Sequence, residues 1–521
     1  MENQTVKLPS PIISLVPILV LVSLLFVTIR TFGSDALNGG SQISLLATTA
    51  VCSLIAMSVS KVRWKTIETA IVNNITGVAS ALLILLIIGS ISGSWMISGV
   101  VPTLIYYGTK LIHPTFFLVS TCVICAIVSV MTGSSWTTIA TIGIALLGIG
   151  RAQGYDEGWI AGAIISGAYF GDKISPLSDT TVLASSITDT PLFTHIRYMM
   201  ITTIPSMTIT LVLFTITGFF HTASSGDQMA QFSQSLEESF TITPWLFIVP
   251  VVTGILIAKK VPPLITLFIS SVLAGVFALI FQPDILLEIA GDNAEGSNAM
   301  FKGFMTMFYG STQIETGNAE LNDLVSTRGM SGMLGTIWLI ICAMCFGGAM
   351  AASGMLQSIT SLFLRFMKRT VGTVGSTVAS GLFFNICTAD QYMSIILTGN
   401  MFKDIYKQKG YESRLLSRTT EDAVTVTSPL IPWNTCGMTQ ATILGVATLS
   451  YLPYCFFNLI SPLMSIFIAS TGYKIKRIHE TGHKSIPDEK NSNHTTCQSC
   501  NRYCCGCTIR PVFTGWHRPV L

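Results

Sequence analysis

The sequence predicts an all-α polytopic membrane protein with two related halves, each holding a re-entrant helical hairpin and a broken helix. Three observations carry this expectation. Only 11% of the 521 residues are charged and the mean hydropathy is +0.62. Most of the chain falls into long apolar blocks, and a pair of polar elements recurs in the same order and at similar spacing in its two halves.

Soluble domains carry about 25% charged residues, so this chain cannot cover a water-exposed surface of its own size. Its apolar blocks match a hydrocarbon core about 30 Å thick crossed at about 1.5 Å per residue. Candidate spans lie near 11–30, 43–60, 69–93, 115–150 (a pair), 197–220, 243–258, 263–282, 335–363, 371–402 (a pair) and 439–470. That reading gives about eleven to thirteen crossings. The first block is long and no A-x-A-like site follows it, so it reads as a span and not as a cleaved leader. Lys61, Arg63 and Lys65 form one short basic loop, which the positive-inside rule puts in the cytoplasm together with the N-terminus. Basic clusters at Arg365, Lys368 and Arg369, at Lys403 to Arg418, and at Lys474, Lys476 and Arg477 should share that side. The net charge of +3 reflects this bias, and no nucleic-acid partner is expected.

In chain order, residues 1–68 are expected to form N-terminal transmembrane helices and 69–220 a first repeat. Linking helices and a polar loop follow at 221–330, then a second repeat at 331–475 and a polar, Cys-rich, disordered tail at 476–521. Of the thirteen cysteines, eight lie in or beside apolar spans, where the thiol acts as a small buried hydrophobe. The rest crowd the tail. Cys497, Cys500, Cys504 and Cys507 are a weak set of metal ligands, but a short polar segment without apolar periodicity favours disorder. No metal site and no cofactor are assigned.

The repeat is read from two polar elements. Thr132-Gly-Ser-Ser-Trp-Thr-Thr begins an apolar helix ending near Arg151, and Ser175-Pro-Leu-Ser-Asp-Thr-Thr181 follows. Thr388-Ala-Asp-Gln-Tyr392 begins a similar helix, and Ser428-Pro-Leu-Ile-Pro-Trp-Asn-Thr435 follows at nearly the same remove. Arg369 and Lys403 are both basic, yet about thirty residues separate them where two full spans need about forty. A hairpin that enters, turns at 385–390 and leaves on the same side resolves this, and 110–151 has the same form with its turn at 132–135. Irregular backbone at membrane depth is tolerated only against protein or a water-filled cavity, as in carriers with broken helices near the midplane.

The densest polar cluster in an apolar setting is Gly171-Asp-Lys-Ile-Ser-Pro-Leu-Ser-Asp-Thr-Thr181. Pro176 removes a helix donor and Gly171 permits unusual dihedrals, so a helix should unwind here. Asp172, Ser175, Asp179 and Thr180 then supply oxygen ligands suited to a small hard cation, by analogy with divalent sites. A carboxylate there could hold a proton instead, and competition of the two for one group is the minimal exchange mechanism. Lys173 is either a charge partner of Asp172 or an anchor for an anionic substrate. In the second half, Glu421 and Asp422 are functional candidates as intramembrane acids, with Arg414 and Arg418 near enough for surface ion pairs. Asp390, in a sparsely charged tip with Asn385 and Thr388 as neutral oxygen donors, is the more persuasive proton-exchanging acid. Asn434 and Thr435 complete the set.

Gly167-Ala-Tyr-Phe-Gly-Asp-Lys-Ile-Ser-Pro-Leu-Ser-Asp-Thr-Thr181 followed by Leu192-Phe-Thr-His-Ile-Arg197 resembles the signature of the NhaC-type sodium/proton antiporter family. Gly133-Ser-Ser-Trp136, Asp390-Gln-Tyr392, Leu416-Ser-Arg418 with Glu421-Asp422, and Pro432-Trp-Asn-Thr-Cys-Gly437 resemble it too. The resemblance spans about residues 10–475 and implies a multi-pass carrier of the ion-transporter superfamily in the bacterial cytoplasmic membrane. It implies inverted repeats with hairpins and Na⁺/H⁺ antiport. Some relatives exchange malate with protons for lactate with sodium, so a sodium-coupled carboxylate exchanger using Lys173 or Arg197 is the alternative. The tail departs from the family pattern.

An enzyme is not expected. Gly329-Met-Ser-Gly332 is a G-x-S-G string, but a nucleophilic serine needs a base in reach, and the later histidines all lie in the tail. The one H-E-x-x-H string, His479-Glu-Thr-Gly-His483, falls in the polar tail and not in an apolar-periodic helix, so it is not read as a zinc-protease site. The expected partners are Na⁺, H⁺, a small carboxylate in the alternative, and the lipid bilayer. The oligomeric state is open, a homodimer included.

Overall fold

Apolar segments in lipid must satisfy their own backbone N–H and C=O groups, which leaves helices or closed barrels. This chain takes the helical solution. The computed structural model describes residues 8–32, 39–220, 226–291, 296–364, 367 and 369–477, and among them the only β pairing is two isolated bridges, Thr312 with Thr327 and Tyr411 with Arg477. The tail beyond Arg477, with Cys497, Cys500, Cys504 and Cys507, lies outside the described residues, as do Arg365 and Lys368.

Eight described helices are long and apolar enough to cross a membrane: Pro11–Phe32, Gly40–Ser58, Ala79–Ile97, Pro114–Thr132, Leu192–Phe220, Pro263–Phe281, Gly329–Ala352 and Thr370–Thr388. Two bent pairs bring the total to ten: Gln231–Ser239 with Pro244–Ala258, at 87°, and Thr448–Tyr454 with Phe456–Thr471, at 56°. The hydropathy reading expects more because it counts both arms of each hairpin. The second arms do not qualify: 135–152 is interrupted by a π-turn at Ile139–Gly143, and Gln391–Gln408 carries Lys403, Asp404 and Lys407. Large apolar side chains such as Leu19, Phe26, Phe193 and Leu463 point outward and are exposed, as a lipid-facing surface requires.

Both expected hairpins are present. Phe117–Thr132 turns through Gly133, at φ +66°, and Ser134 into Ser135–Thr138, while Thr370–Thr388 turns through Ala389, at φ +56°, and Asp390 into Gln391–Gln408. The second arm of the latter runs through Lys403, which pairs with Asp189 at 2.5 Å, so Lys403 does not end the segment. Its first arm alone has the 19 residues of a crossing. Segment length therefore does not decide how deep the tips lie. The second tip is enclosed by protein, and the first is partly so, with Gly133 and Ser135 buried and Thr132 and Ser134 half-buried.

Each hairpin lies against the broken helix of its own half. In the first, Gly167 and Gly171 of Glu157–Ile174 let the backbones touch: an added Cβ would stand 2.1 Å from Cys122 O and 2.3 Å from Ala126 O. This is small-xxx-small packing, the usual means of close approach where lipid gives no hydrophobic drive. Ser129 Oγ then donates to Ala168 O at 2.6 Å. In the second, Asn385 Nδ2 donates to Val424 O at 2.7 Å. One constant sequence offset relates these two bonds.

The same offset relates the turns. Ser134 N donates to Thr132 Oγ1 and Asp390 N to Thr388 Oγ1, at 3.2 and 3.3 Å. Thr132 Oγ1 meets Thr138 Oγ1 and Thr388 Oγ1 meets Ser394 Oγ, at 3.2 and 2.8 Å. Each second arm is capped by the tip side chain: Thr137 N donates to Ser134 Oγ at 3.2 Å and Met393 N to Asp390 Oδ1 at 2.8 Å.

Candidate functional site

Both broken helices open at Ser-Pro-Leu. Glu157–Ile174 ends where Pro176 withholds a donor, and Asp179–Ile187 resumes beyond it with Ser178 as its cap. Ser175 Oγ is committed to structure, donating to Val130 O at 2.8 Å and accepting from Leu177 N at 3.2 Å. Thr180 Oγ1 meets Ser178 Oγ at 3.0 Å. In the second half, Ser413–Thr420 passes into a π-turn, Glu421–Thr425, then a 3-10 turn at Ser428–Leu430, and Thr435–Leu444 follows, capped by Asn434.

Asp172 joins the first break to the first tip. Its Oδ2 accepts from Ser135 N at 3.2 Å and from Ser135 Oγ at 2.7 Å, and the Ser178 hydroxyl lies near the same carboxylate. The second tip is held to the second break by Thr435 N to Ala389 O at 2.8 Å and Thr435 Oγ1 to Asp390 Oδ2 at 3.2 Å. Asn434 Nδ2 donates to Asn385 O at 3.1 Å. Asn385, Thr388, Asp390, Asn434 and Thr435 therefore form one buried group. Asp172, Asp179 and Asp390 all lie within electrostatic range of Tyr392, though Asp179 itself is exposed.

The two halves meet at an ion pair. Lys173 does not face Asp172: its ammonium pairs with Asp422 of the second broken helix, and both side chains are fully buried. Thr202 Oγ1 and Ser461 Oγ donate to the same Asp422 Oδ1 at 3.1 and 3.2 Å, and Lys173 Nζ reaches Ser461 Oγ at 3.1 Å. Arg418 Nε stands 3.9 Å from Asp422 Oδ2, and its guanidinium lies 4.8 Å from the Tyr198 ring centroid. The surface ion pairs considered for Glu421 and Asp422 are not what forms, since both carboxylates and Arg418 are 0% exposed. Arg197 is exposed and outside this cluster, whereas His195, two residues earlier, is buried against Ser417.

Thr202, Ser461, Ser135 and Thr425 escape the sequence reading as site residues. Lone hydroxyls in apolar helices also bond their own backbone, so they carry no distinguishing signal. The one cue available was Ser461-Pro462 inside the helix Phe456–Thr471. Among the described residues no three His, Cys, Asp or Glu side chains form a metal-holding group.

The model of the Na⁺/H⁺ antiporter family matches residues 167–473, which include the break of the first broken helix, the whole second broken helix and the second hairpin. The Na⁺/H⁺ antiporter NhaC of Bacillus subtilis is 36% identical over 407 residues, covering 78% of this chain and 87% of that protein. The malate-2H⁺/Na⁺-lactate antiporter of the same organism is 37% identical over 429 residues, 82% of this chain and 88% of that one. The arginine/ornithine antiporter ArcD of Halobacterium salinarum is 35% identical over 475 residues, 90% and 93% respectively.

Proposed function

Because the chain belongs to the Na⁺/H⁺ antiporter family, we propose that it exchanges sodium for protons across the bacterial cytoplasmic membrane, with its N-terminus in the cytoplasm. The reading is transport and not bond-making chemistry. The observation that carries it is the junction at Asp172: a buried acid on a broken helix bonded to a hairpin tip. Broken helices of this kind are where carriers hold ions near the midplane, and buried acids are costly in lipid unless they have a task.

In this mechanism 69–220 and 331–475 act as two inverted repeats whose re-entrant tips reach the site from opposite sides. Asp172 and Glu421 face the ion path. Ser175, Thr180, Asn385, Thr388, Asp390, Asn434 and Thr435 hold the tips and breaks in register, Asp179 lies toward the mouth, and the Lys173–Asp422 pair joins the halves. A carboxylate that binds either Na⁺ or H⁺, but not both, couples the two flows when the site opens to alternate sides.

The second reading, a sodium-coupled carboxylate exchanger, is favoured by Arg418. Its guanidinium is buried, and none of its nitrogens has a hydrogen-bond acceptor among the described residues. Guanidinium suits a planar carboxylate, and it would replace Lys173 and Arg197 as the anchor.

Purified protein in liposomes with a trapped pH dye distinguishes these. External Na⁺ alone should make the lumen alkaline as Na⁺ enters and H⁺ leaves. A response that needs lumenal malate or lactate, or arginine or ornithine, would give the site to the second reading. No response in any arm would defeat both.

A further inference from the structure

The three buried acids around the joint between the halves are not equivalent. Asp422 is paired: its Oδ1 takes an ammonium and two hydroxyls, while its Oδ2, without a hydrogen bond among the described residues, has the Arg418 guanidinium 3.9 Å away. Asp172 is held by the backbone and hydroxyl donors of Ser135. Glu421 is different. Its side chain is 0% exposed, no cation stands within ion-pair distance, and neither carboxylate oxygen has a well-formed hydrogen bond among the described residues. Thr425, across the same π-turn, is its hydroxyl neighbour, and Thr425 Oγ1 is likewise buried without a well-formed bond. Lys173 and Asp172, on the first broken helix, and Asp422, the next residue of the same π-turn, are the charged groups that act on Glu421.

Charge balance points the same way. Asp172, Glu421 and Asp422 are opposed inside the protein by Lys173 and Arg418, so the fully ionised cluster keeps one negative charge uncompensated. An unpaired buried charge costs several kcal/mol, and one monovalent cation cancels it. Asp390 stands apart, because its carboxylate caps the N-terminus of Gln391–Gln408 and accepts from Met393 N and Thr435 Oγ1. The π-turn has a local effect as well. It places Glu421 and Thr425 one wide turn apart, so that a carboxylate and a hydroxyl, both buried and without a well-formed bond, are neighbours.

From this geometry we infer that Glu421, with the Thr425 hydroxyl, is the ligand pair that binds the transported cation, and that Asp422 is a fixed joint and not a ligand. The inference rests on the exchange reading above and assigns the ion-carrying role to one acid of the set.

The test is Na⁺ binding by the purified full chain in detergent. Its thermal unfolding midpoint is followed as NaCl replaces choline chloride at constant ionic strength, because a ligand of the native state raises that midpoint by mass action. Glu421→Gln should weaken the apparent Na⁺ affinity by about tenfold or more, and Thr425→Val by about threefold to tenfold. Glu421→Asp should restore part of the loss. Asp390→Asn should stay within about twofold of wild type. A wild-type Na⁺ response in Glu421→Gln, or its loss in Asp390→Asn alone, overturns the assignment while leaving the exchange reading intact. If Glu421→Gln does not accumulate, Thr425→Val decides: an unchanged affinity overturns the inference and a severalfold loss supports it. A wild-type protein that ignores Na⁺ altogether would sink the exchange reading and this inference together.

Discussion

The two hairpin junctions share a frame and differ in charge. The bonds Thr132–Ser134, Thr132–Thr138, Ser134–Thr137 and Ser129–Ala168 each have a counterpart in the second half. Those counterparts are Thr388–Asp390, Thr388–Ser394, Asp390–Met393 and Asn385–Val424. Yet the first tip is capped by neutral Ser134 and the second by Asp390. Asp172 lies three residues before its Ser-Pro-Leu, where the second half has Thr425, and Glu421 and Asp422 lie a turn further back. The two halves share a backbone solution to breaking a helix but place their acids differently, so the chemistry is to be sought where the halves disagree.

The largest effect should come from the pair that joins them. Removing one partner of a buried ion pair leaves an uncompensated charge and costs about 3–5 kcal/mol. Lys173→Met and Asp422→Leu should each lower the amount of folded protein sharply, whereas the double variant recovers much of the loss. Fluorescence size-exclusion profiles and unfolding midpoints check this. A double variant no better than the worse single one would mean that Lys173 or Asp422 acts outside the joint.

Next in size is Gly133→Ala. Gly133 has φ +66°, and a Cβ there would stand 2.6 Å from Leu177 Cβ and 2.7 Å from its carbonyl carbon. Left-handed strain of about 1–2 kcal/mol adds to overpacking of about 1–3 kcal/mol. The unfolding midpoint should fall well beyond the effect of an ordinary exposed substitution, and a neutral result would show that the first tip is looser than the second.

Much of this frame is legible in the sequence because it is local. Glycine before serine marks a left-handed turn with a helix cap, and Ser-Pro-Leu marks a lost donor. Long-range pairing is not legible. Lys173 and Asp172 are chain neighbours, yet adjacent helix positions do not share a face, so Lys173 finds an acid 249 residues away instead. Arg197 fails for a similar reason, since the helix turns its His195 inward and Arg197 outward. Asp390 looks isolated in the sequence because its partners are the Met393 backbone N–H and the hydroxyl of Thr435, 45 residues away, which composition does not reveal. Glu421 and Asp422 look alike there, and only the packing of Lys173, Thr202 and Ser461 on one of them separates their roles.

A smaller effect tests whether the two caps are interchangeable. If Asp390 serves as a helix cap in the way Ser134 does, Asp390→Ala and Ser134→Ala should each destabilise by about 1 kcal/mol. Asp390→Asn should cost little, because Asn caps as well as Asp. Unfolding midpoints of the three variants would show it. A much larger loss for Asp390→Asn than for Ser134→Ala would mean that the charge itself, and not the cap, holds the second tip.

The smallest predicted change is Ala389→Gly, and its sign is the informative part. Ala389 occupies the position of Gly133 at φ +56°, where a Cβ costs about 1–2 kcal/mol. Glycine removes that strain but also gives the unfolded chain more freedom, a loss of about 0.4–1 kcal/mol. The net should be a slight stabilisation of a few tenths to about 1 kcal/mol. This follows only if the Ala389 side chain contributes little packing of its own, although it is fully buried against the cluster around Phe346 and Phe384. A fall in the midpoint would mean that the second tip is held by its methyl group as well as by the Ala389 O to Thr435 N bond. The first tip, with no side chain at that position, could not share that hold. A rise would mean that the second half tolerates strain at its turn because its other bonds determine the shape.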